Sequence, residues 1–182
     1  MNMSTLAILT LLLAGITLPF YAMFFISPSV TREGLRRFPR NRWSGWLLAI
    51  AAVAWAAWLL HGLPLGRFES LKTWLVPAAV VFAGLVCYYM EELLAPRAFG
   101  ALLLLYPAPL LDAARLHDSG WSVVMSVVAY AMAIKGMALL LSPYLFRHVS
   151  ERILNTDRTC RLAGAGGLVF DALLLLLATT VF

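Results

Sequence analysis

The chain is short of charge. Of its 182 residues only 9 are acidic and 14 basic, 13% in all, where a soluble domain carries about 25%. None of them falls in the first 31 positions. Hydrophobic residues make up 62%, against roughly 45–50% in a soluble domain, which excludes a water-soluble monomer of this size and a disordered chain alike. Two cysteines cannot build a disulfide framework. The 12 Gly and 9 Pro follow no collagen period. Catalytic signatures are missing too: there is no Gly-x-Ser-x-Gly, Ser-x-x-Lys or His-Glu-x-x-His. The expectation is an all-α, polytopic membrane helical bundle that is not an enzyme and needs no cofactor.

What the sequence does have is long uncharged runs. A helix crossing about 30 Å of hydrocarbon needs roughly 20 apolar residues at 1.5 Å each. Thr5 to Ile26, Trp43 to Leu60 and Thr73 to Met90 qualify, while Ser119 to Leu141 and Leu162 to Phe182 each contain one ionisable residue, Lys135 and Asp171. The run from Ala98 to Leu111 is shorter and includes Tyr106-Pro107-Ala108-Pro109. Its 14 residues cover only about 21 Å. It is therefore either re-entrant or a full span whose end arginines, Arg97 and Arg115, snorkel to the two interfaces.

Basic residues decide between these, because cytoplasmic loops hold the excess of Lys and Arg. With six spans, Arg32, Arg36, Arg37, Arg40, Arg42, Arg97, Arg147, Arg152, Arg158 and Arg161 share one side, and Arg67, Lys72 and Arg115 the other, ten against three. A re-entrant fourth run makes it seven against six. Six spans are expected, as three hairpins of the same orientation (5–60, 73–115 and 119–182) in a single transmembrane domain, with both termini non-cytoplasmic. The uncharged start lacks the basic region and cleavage site of a removable signal peptide. Trp43, Trp46, Trp74 and Trp121 fall near span ends, where indole rings anchor at the interface.

Two segments repeat a layout. Ser27-Pro28 precedes Arg32, and Ser142-Pro143 precedes Arg147; each then enters the next span through Arg-x-x-Gly, Arg42 to Gly45 and Arg161 to Gly164. Proline ends one helix and suits the first position of the next. In the second copy Leu145, Val149 and Ile153 form an apolar stripe between Arg147, His148, Glu151 and Arg152. Interfacial amphipathic segments are thus expected after spans 1 and 5. Gly164, Gly166 and Gly167 are expected to let a neighbouring helix approach closely.

Residues 127–182, with Lys135-Gly136, Pro143, Asp157 and Arg161-x-x-Gly164, resemble the YjeT-like small inner-membrane proteins of bacteria. These are two-helix proteins of unknown function with an acidic residue where Lys135 stands here. The resemblance implies a hairpin in a bacterial inner membrane and no activity.

Few groups could carry chemistry. Lys135 and Asp171 lie about 12 Å and about 15 Å along their helices from Pro143 and Arg161. They can form a buried pair between spans 5 and 6 that fixes register, or an ion or proton path. His61 and His117 share the non-cytoplasmic side and are weak candidates for a haem or metal, neither having a second ligand at helical spacing. Glu91-Glu92 offers a partner to Arg97 or the first-loop arginines. Asp112, Arg115, His117 and Asp118 form a polar cluster without the downstream acid pair that membrane phosphotransferases use to hold metals. The arginines Arg32, Arg36, Arg37, Arg40, Arg42, Arg147, Arg152, Arg158 and Arg161 are expected to meet anionic lipid headgroups or a membrane-protein partner, which explains the net charge of +5 without nucleic acid. The first functional expectation is an accessory or scaffold subunit of a membrane complex. A small transporter or proton or ion conductor using Lys135 and Asp171 is the alternative, and a haem- or metal-binding redox subunit the second alternative.

Overall fold

The computed structural model describes residues 4–62, 70, 72–89, 94–116, 119–142, 144–153 and 156–181, with backbone alone at residues 40, 145–147 and 152–153. Every regular element among them is helical. Six helical segments are long and apolar enough to cross a membrane: Thr5–Ile26, Arg42–Gly62, Lys72–Tyr89, Leu94–Arg115, Ser122–Leu141 and Asp157–Thr180. The chain is therefore a multi-pass membrane protein.

Each boundary has a local cause. Helix α1 (Thr5–Ile26) starts where the Ser4 hydroxyl accepts from the Ala7 N–H at 3.1 Å. It stops at Ser27, and Pro28 opens α2 (Pro28–Arg37), followed by a 3-10 turn at Phe38–Arg40 and α3 (Arg42–Gly62). Helix α4 is Lys72–Tyr89. The fourth span is two helices, α5 (Leu94–Leu105) and α6 (Pro107–Arg115). Tyr106 between them keeps helical dihedrals, φ −61° and ψ −38°. The interruption arises because Pro107 and Pro109 have no N–H to give the preceding turn. The whole segment is 22 residues long, longer than the uncharged run because it takes in 94–97 before it, with Leu94, Ala95 and Pro96 buried, and 112–115 after it. Helix α7 is Ser122–Leu141, and α8 (Tyr144–Ile153), like α2, is short and strongly amphipathic. Helix α9 (Asp157–Thr180) begins in a reciprocal cap between Thr156 and Thr159, five residues before the uncharged run does.

The chain divides into two compact units. The first comprises residues 1–36, 106–132 and 147–182. In it α1 lies along α9. Phe24 meets Cys160, Tyr21 meets Gly167 and Thr17 meets Asp171, so the two helices run antiparallel. Helix α6 also packs on α1, and the Tyr106 hydroxyl donates to the Leu9 carbonyl at 2.5 Å. The second unit comprises residues 37–105 and 133–146. Here α3 packs against both α4 and α5, around buried Ala49, Leu94 and Ala98 with Leu48, Val86 and Cys87 at their edge. The 3-10 turn packs on α5 through an edge-on contact of Phe38 with Phe99, ring centres 6.5 Å apart. Gly100 of α5 and Gly136 of α7 bring those two helices together backbone to backbone.

Candidate functional site

The α1 and α9 seam of the first unit holds the only buried ionisable carboxylate among the described residues. Its spacing is helical on both sides: Thr17, Tyr21 and Phe24 on α1 oppose Gly164, Gly167 and Asp171 on α9. A Cβ added at Gly164 would lie 2.8 Å from the Phe25 backbone nitrogen. At Gly167 it would lie 2.2 Å from the Tyr21 ring. Gly166 faces open space, with nothing within 4 Å, which corrects the expectation that all three glycines serve close approach. The reason is rotation, since one residue turns the helix by about 100° and carries Gly166 off the seam.

The close approach brings Thr17 to Asp171. The hydroxyl oxygen of Thr17 is 2.7 Å from Asp171 Oδ1 and also 2.9 Å from the Leu13 carbonyl. A hydroxyl has one proton to donate. With a carboxylate at 171 the two acceptors share that proton in a bifurcated bond, whereas a carboxylic acid or an amide at 171 can itself donate to the Thr17 oxygen. Asp171 is fully buried, and its Oδ2 has no hydrogen-bond partner among the described residues. Thr17 was invisible to a reading that followed charges. The available signal was a hydroxyl within an uncharged span, because such a group must bond its own helix or another polar group.

Lys135 is on α7 in the second unit and exposed, so the expected partner of Asp171 belongs to a different unit. His61 is exposed at the end of α3, and His117 lies outside the described residues, as do Asp118 and the Glu91-Glu92 pair. Among the described residues no group of three or more His, Cys, Asp or Glu could hold a metal ion. Asp112 and Arg115 are exposed on α6. Cys87 and Cys160 are both free thiols. In the second unit the Nε of Arg97 is buried without an acceptor among the described residues.

At the other end of the seam the arginines sort themselves. Thr31 of α2 bonds back to the Met23 and Ser27 carbonyls at 3.0 Å, which folds α2 against the end of α1. This brings Arg32 to Asp157, 2.6 Å away at the start of α9. Such a partly exposed pair contributes about 1 kcal/mol at most. Arg158 and Arg161, both exposed, line a groove of about 390 Å³ with Asp157, Phe25, Leu162 and Ala165. Arg36, Arg37 and Arg42 are exposed. The side chains of Arg40, Arg147 and Arg152 lie outside the described residues.

No protein family, curated protein or solved structure matches the chain.

The Arg-x-x-Gly repeat gains a physical meaning in both units. Gly45, like Gly164, sits at a helix crossing, where a Cβ would lie 3.3 Å from the Ala95 nitrogen and from Leu94 Cβ. The motif places an arginine one turn before a contact that only a small residue permits.

Proposed function

We propose that the chain is an integral membrane accessory or scaffold protein that docks another membrane protein and performs no chemistry of its own. The observation that carries this reading is α4. None of its 18 residues is buried. A stripe of Leu75, Ala79, Ala83, Val86 and Cys87 is partly covered, while Val76, Val80, Val81, Phe82 and Leu85 stay exposed. Gly84 opens on that exposed side with nothing within 4 Å of a Cβ. Small residues on an apolar face are what helices in lipid use to associate, since apolar side chains alone gain nothing by leaving the acyl chains. The test is affinity purification in mild detergent of the wild type and of Gly84→Leu. The expected result is a stoichiometric membrane-protein partner that the variant loses while keeping its helix content and monodispersity. A partner retained equally by the variant would refute docking on α4, and a wild type that purifies alone would refute the scaffold role.

The setting proposed is a bacterial inner membrane, with three hairpins in one orientation and both termini non-cytoplasmic. It is supported by the ten-to-three split of basic residues and by the resemblance of residues 127–182 to YjeT-like proteins. Topology reporters fused after Arg40, Pro96 and Ser150 are expected to read cytoplasmic, and those after Gly66 and Asp118 non-cytoplasmic. A cytoplasmic signal after Asp118 would invert the last hairpin and contradict this orientation.

A second reading, a small transporter or proton or ion conductor, is favoured by one observation: the buried Asp171 has one oxygen without a hydrogen-bond partner among the described residues. Intramembrane acids with spare capacity mark ion paths in many membrane proteins. In this reading Asp171 exchanges the proton or ion.

A further inference from the structure

The groove at the start of α9 has a chemistry that neither the docking role nor ion conduction uses. Arg158, Arg161, Leu162 and Ala165 are spaced at i, i+3, i+4 and i+7, so they share one face of α9. Phe25, at the end of α1, supplies the facing wall. The wall stands close because Gly164 admits the α1 backbone beside it. Going into the span, the lining changes from two guanidiniums to phenyl, isobutyl and methyl groups. Neither guanidinium has a hydrogen-bond or ion-pair partner among the described residues. Asp157, the one acid in the lining, is already engaged by Arg32 at 2.6 Å, which reduces its repulsion of an incoming anion.

We infer that this groove is a binding site for one anionic glycerophospholipid, its phosphate held by Arg158 and Arg161 and an acyl chain laid along Phe25, Leu162 and Ala165. Guanidinium pairs recognise phosphate oxygens through directed, often bidentate, hydrogen bonds. A zwitterionic headgroup brings its own cation to the phosphate and gains less from two more. Free phosphate matches the arginines but leaves the apolar half of the groove unused. The lipid is the occupant that matches both halves, and the groove lies at an end of two spanning helices, where headgroups are. The inference does not depend on the scaffold role.

The test is native mass spectrometry of the full chain released from detergent micelles, titrated in turn with phosphatidylglycerol, phosphatidylcholine and inorganic phosphate. One phosphatidylglycerol per chain is expected to bind saturably, well ahead of phosphatidylcholine, without competition from millimolar phosphate. The double variant Arg158→Gln with Arg161→Gln is expected to weaken that binding by about 30-fold, two basic contacts near the membrane surface being lost. Ala165→Phe keeps both charges, fills the apolar half and is expected to weaken binding as well. Arg36→Gln with Arg37→Gln removes the same charge from α2 and is expected to leave it unchanged. Equal losses in the two double variants would reduce the effect to diffuse attraction and overturn the site. Equal binding of phosphatidylcholine, displacement by phosphate, or no effect of Ala165→Phe would overturn it too. Should the arginine variant fail to fold, the Ala165→Phe and lipid-class comparisons decide alone.

Discussion

Gly164→Ala is expected to destabilise the protein by about 1–3 kcal/mol, the usual cost of forcing one extra carbon into a packed contact. Its Cβ would fall 2.8 Å from the Phe25 backbone nitrogen and 3.0 Å from the Tyr21 carbonyl oxygen. Backbone cannot swing aside as a side-chain tip can, so α1 and α9 must separate. Separation also lengthens the Thr17 to Asp171 bond two turns away and widens the lipid groove. At Gly167 the obstruction is the Tyr21 ring, 2.2 Å from the added carbon, and the ring must leave its position. Gly166→Ala is the control, because nothing lies within 4 Å and alanine is the better helix former. Thermal unfolding and size-exclusion profiles of the three variants in one detergent check the order. A loss at Gly166 equal to that at Gly164 would show that helix flexibility, and no close crossing, is what these glycines supply. The second unit has a reciprocal version: a Cβ at Gly100 would meet the Gly136 carbonyl oxygen at 2.9 Å, and one at Gly136 the Gly100 oxygen at 2.8 Å.

The glycine contrast also marks how far the sequence could be read. The spans were legible because an uncharged run is a statement about transfer to hydrocarbon, and the run from Thr5 to Ile26 coincides with α1. Pro28 announced the start of α2 for an equally local reason, its missing N–H. The uncharged run from Leu162 starts later than α9 because Asp157, Arg158 and Arg161 count against a span, although the Thr156 cap and a first-turn acid favour helix there. Partners separated widely along the chain left no local trace. That α1 should lie along α9 follows from packing 154 residues apart in the case of Thr17 and Asp171, and no periodicity within either helix selects the other. Gly164, Gly166 and Gly167 were equivalent as letters, and only the azimuth of the seam distinguishes them. The carboxylate at 171 was visible as a charge. Its neighbour Thr17 was not, since a hydroxyl weighs little in any hydropathy sum yet has one decisive proton to place.

Thr17→Val is expected to destabilise by about 1–3 kcal/mol, while Asp171→Asn is expected to change stability little. This asymmetry comes from what each substitution leaves unpaired. Thr17 has a second acceptor in the Leu13 carbonyl at 2.9 Å, so it is satisfied whatever stands at 171. Among the described residues Asp171 has no such alternative: its Oδ1 bonds only the Thr17 hydroxyl, and its Oδ2 has no partner. Valine at 17 therefore strands a whole buried polar group, whereas asparagine at 171 keeps the shape and can donate to the Thr17 oxygen through its amide. Thr17→Val combined with Asp171→Val is expected to recover most of the lost stability, because two apolar groups of similar shape leave nothing unsatisfied. Unfolding midpoints of the three variants form the check, and a single Thr17→Val variant as stable as wild type would show that the hydroxyl contributes nothing to the seam. The same set separates a structural Asp171 from a conducting one. Asp171→Asn keeps the fold and removes the titratable group, so in proteoliposomes carrying a pH gradient it should abolish proton flux if Asp171 carries it. Wild-type flux no greater than that of protein-free liposomes would end the proton-conducting form of the second reading and leave Asp171 as a packing residue held by Thr17.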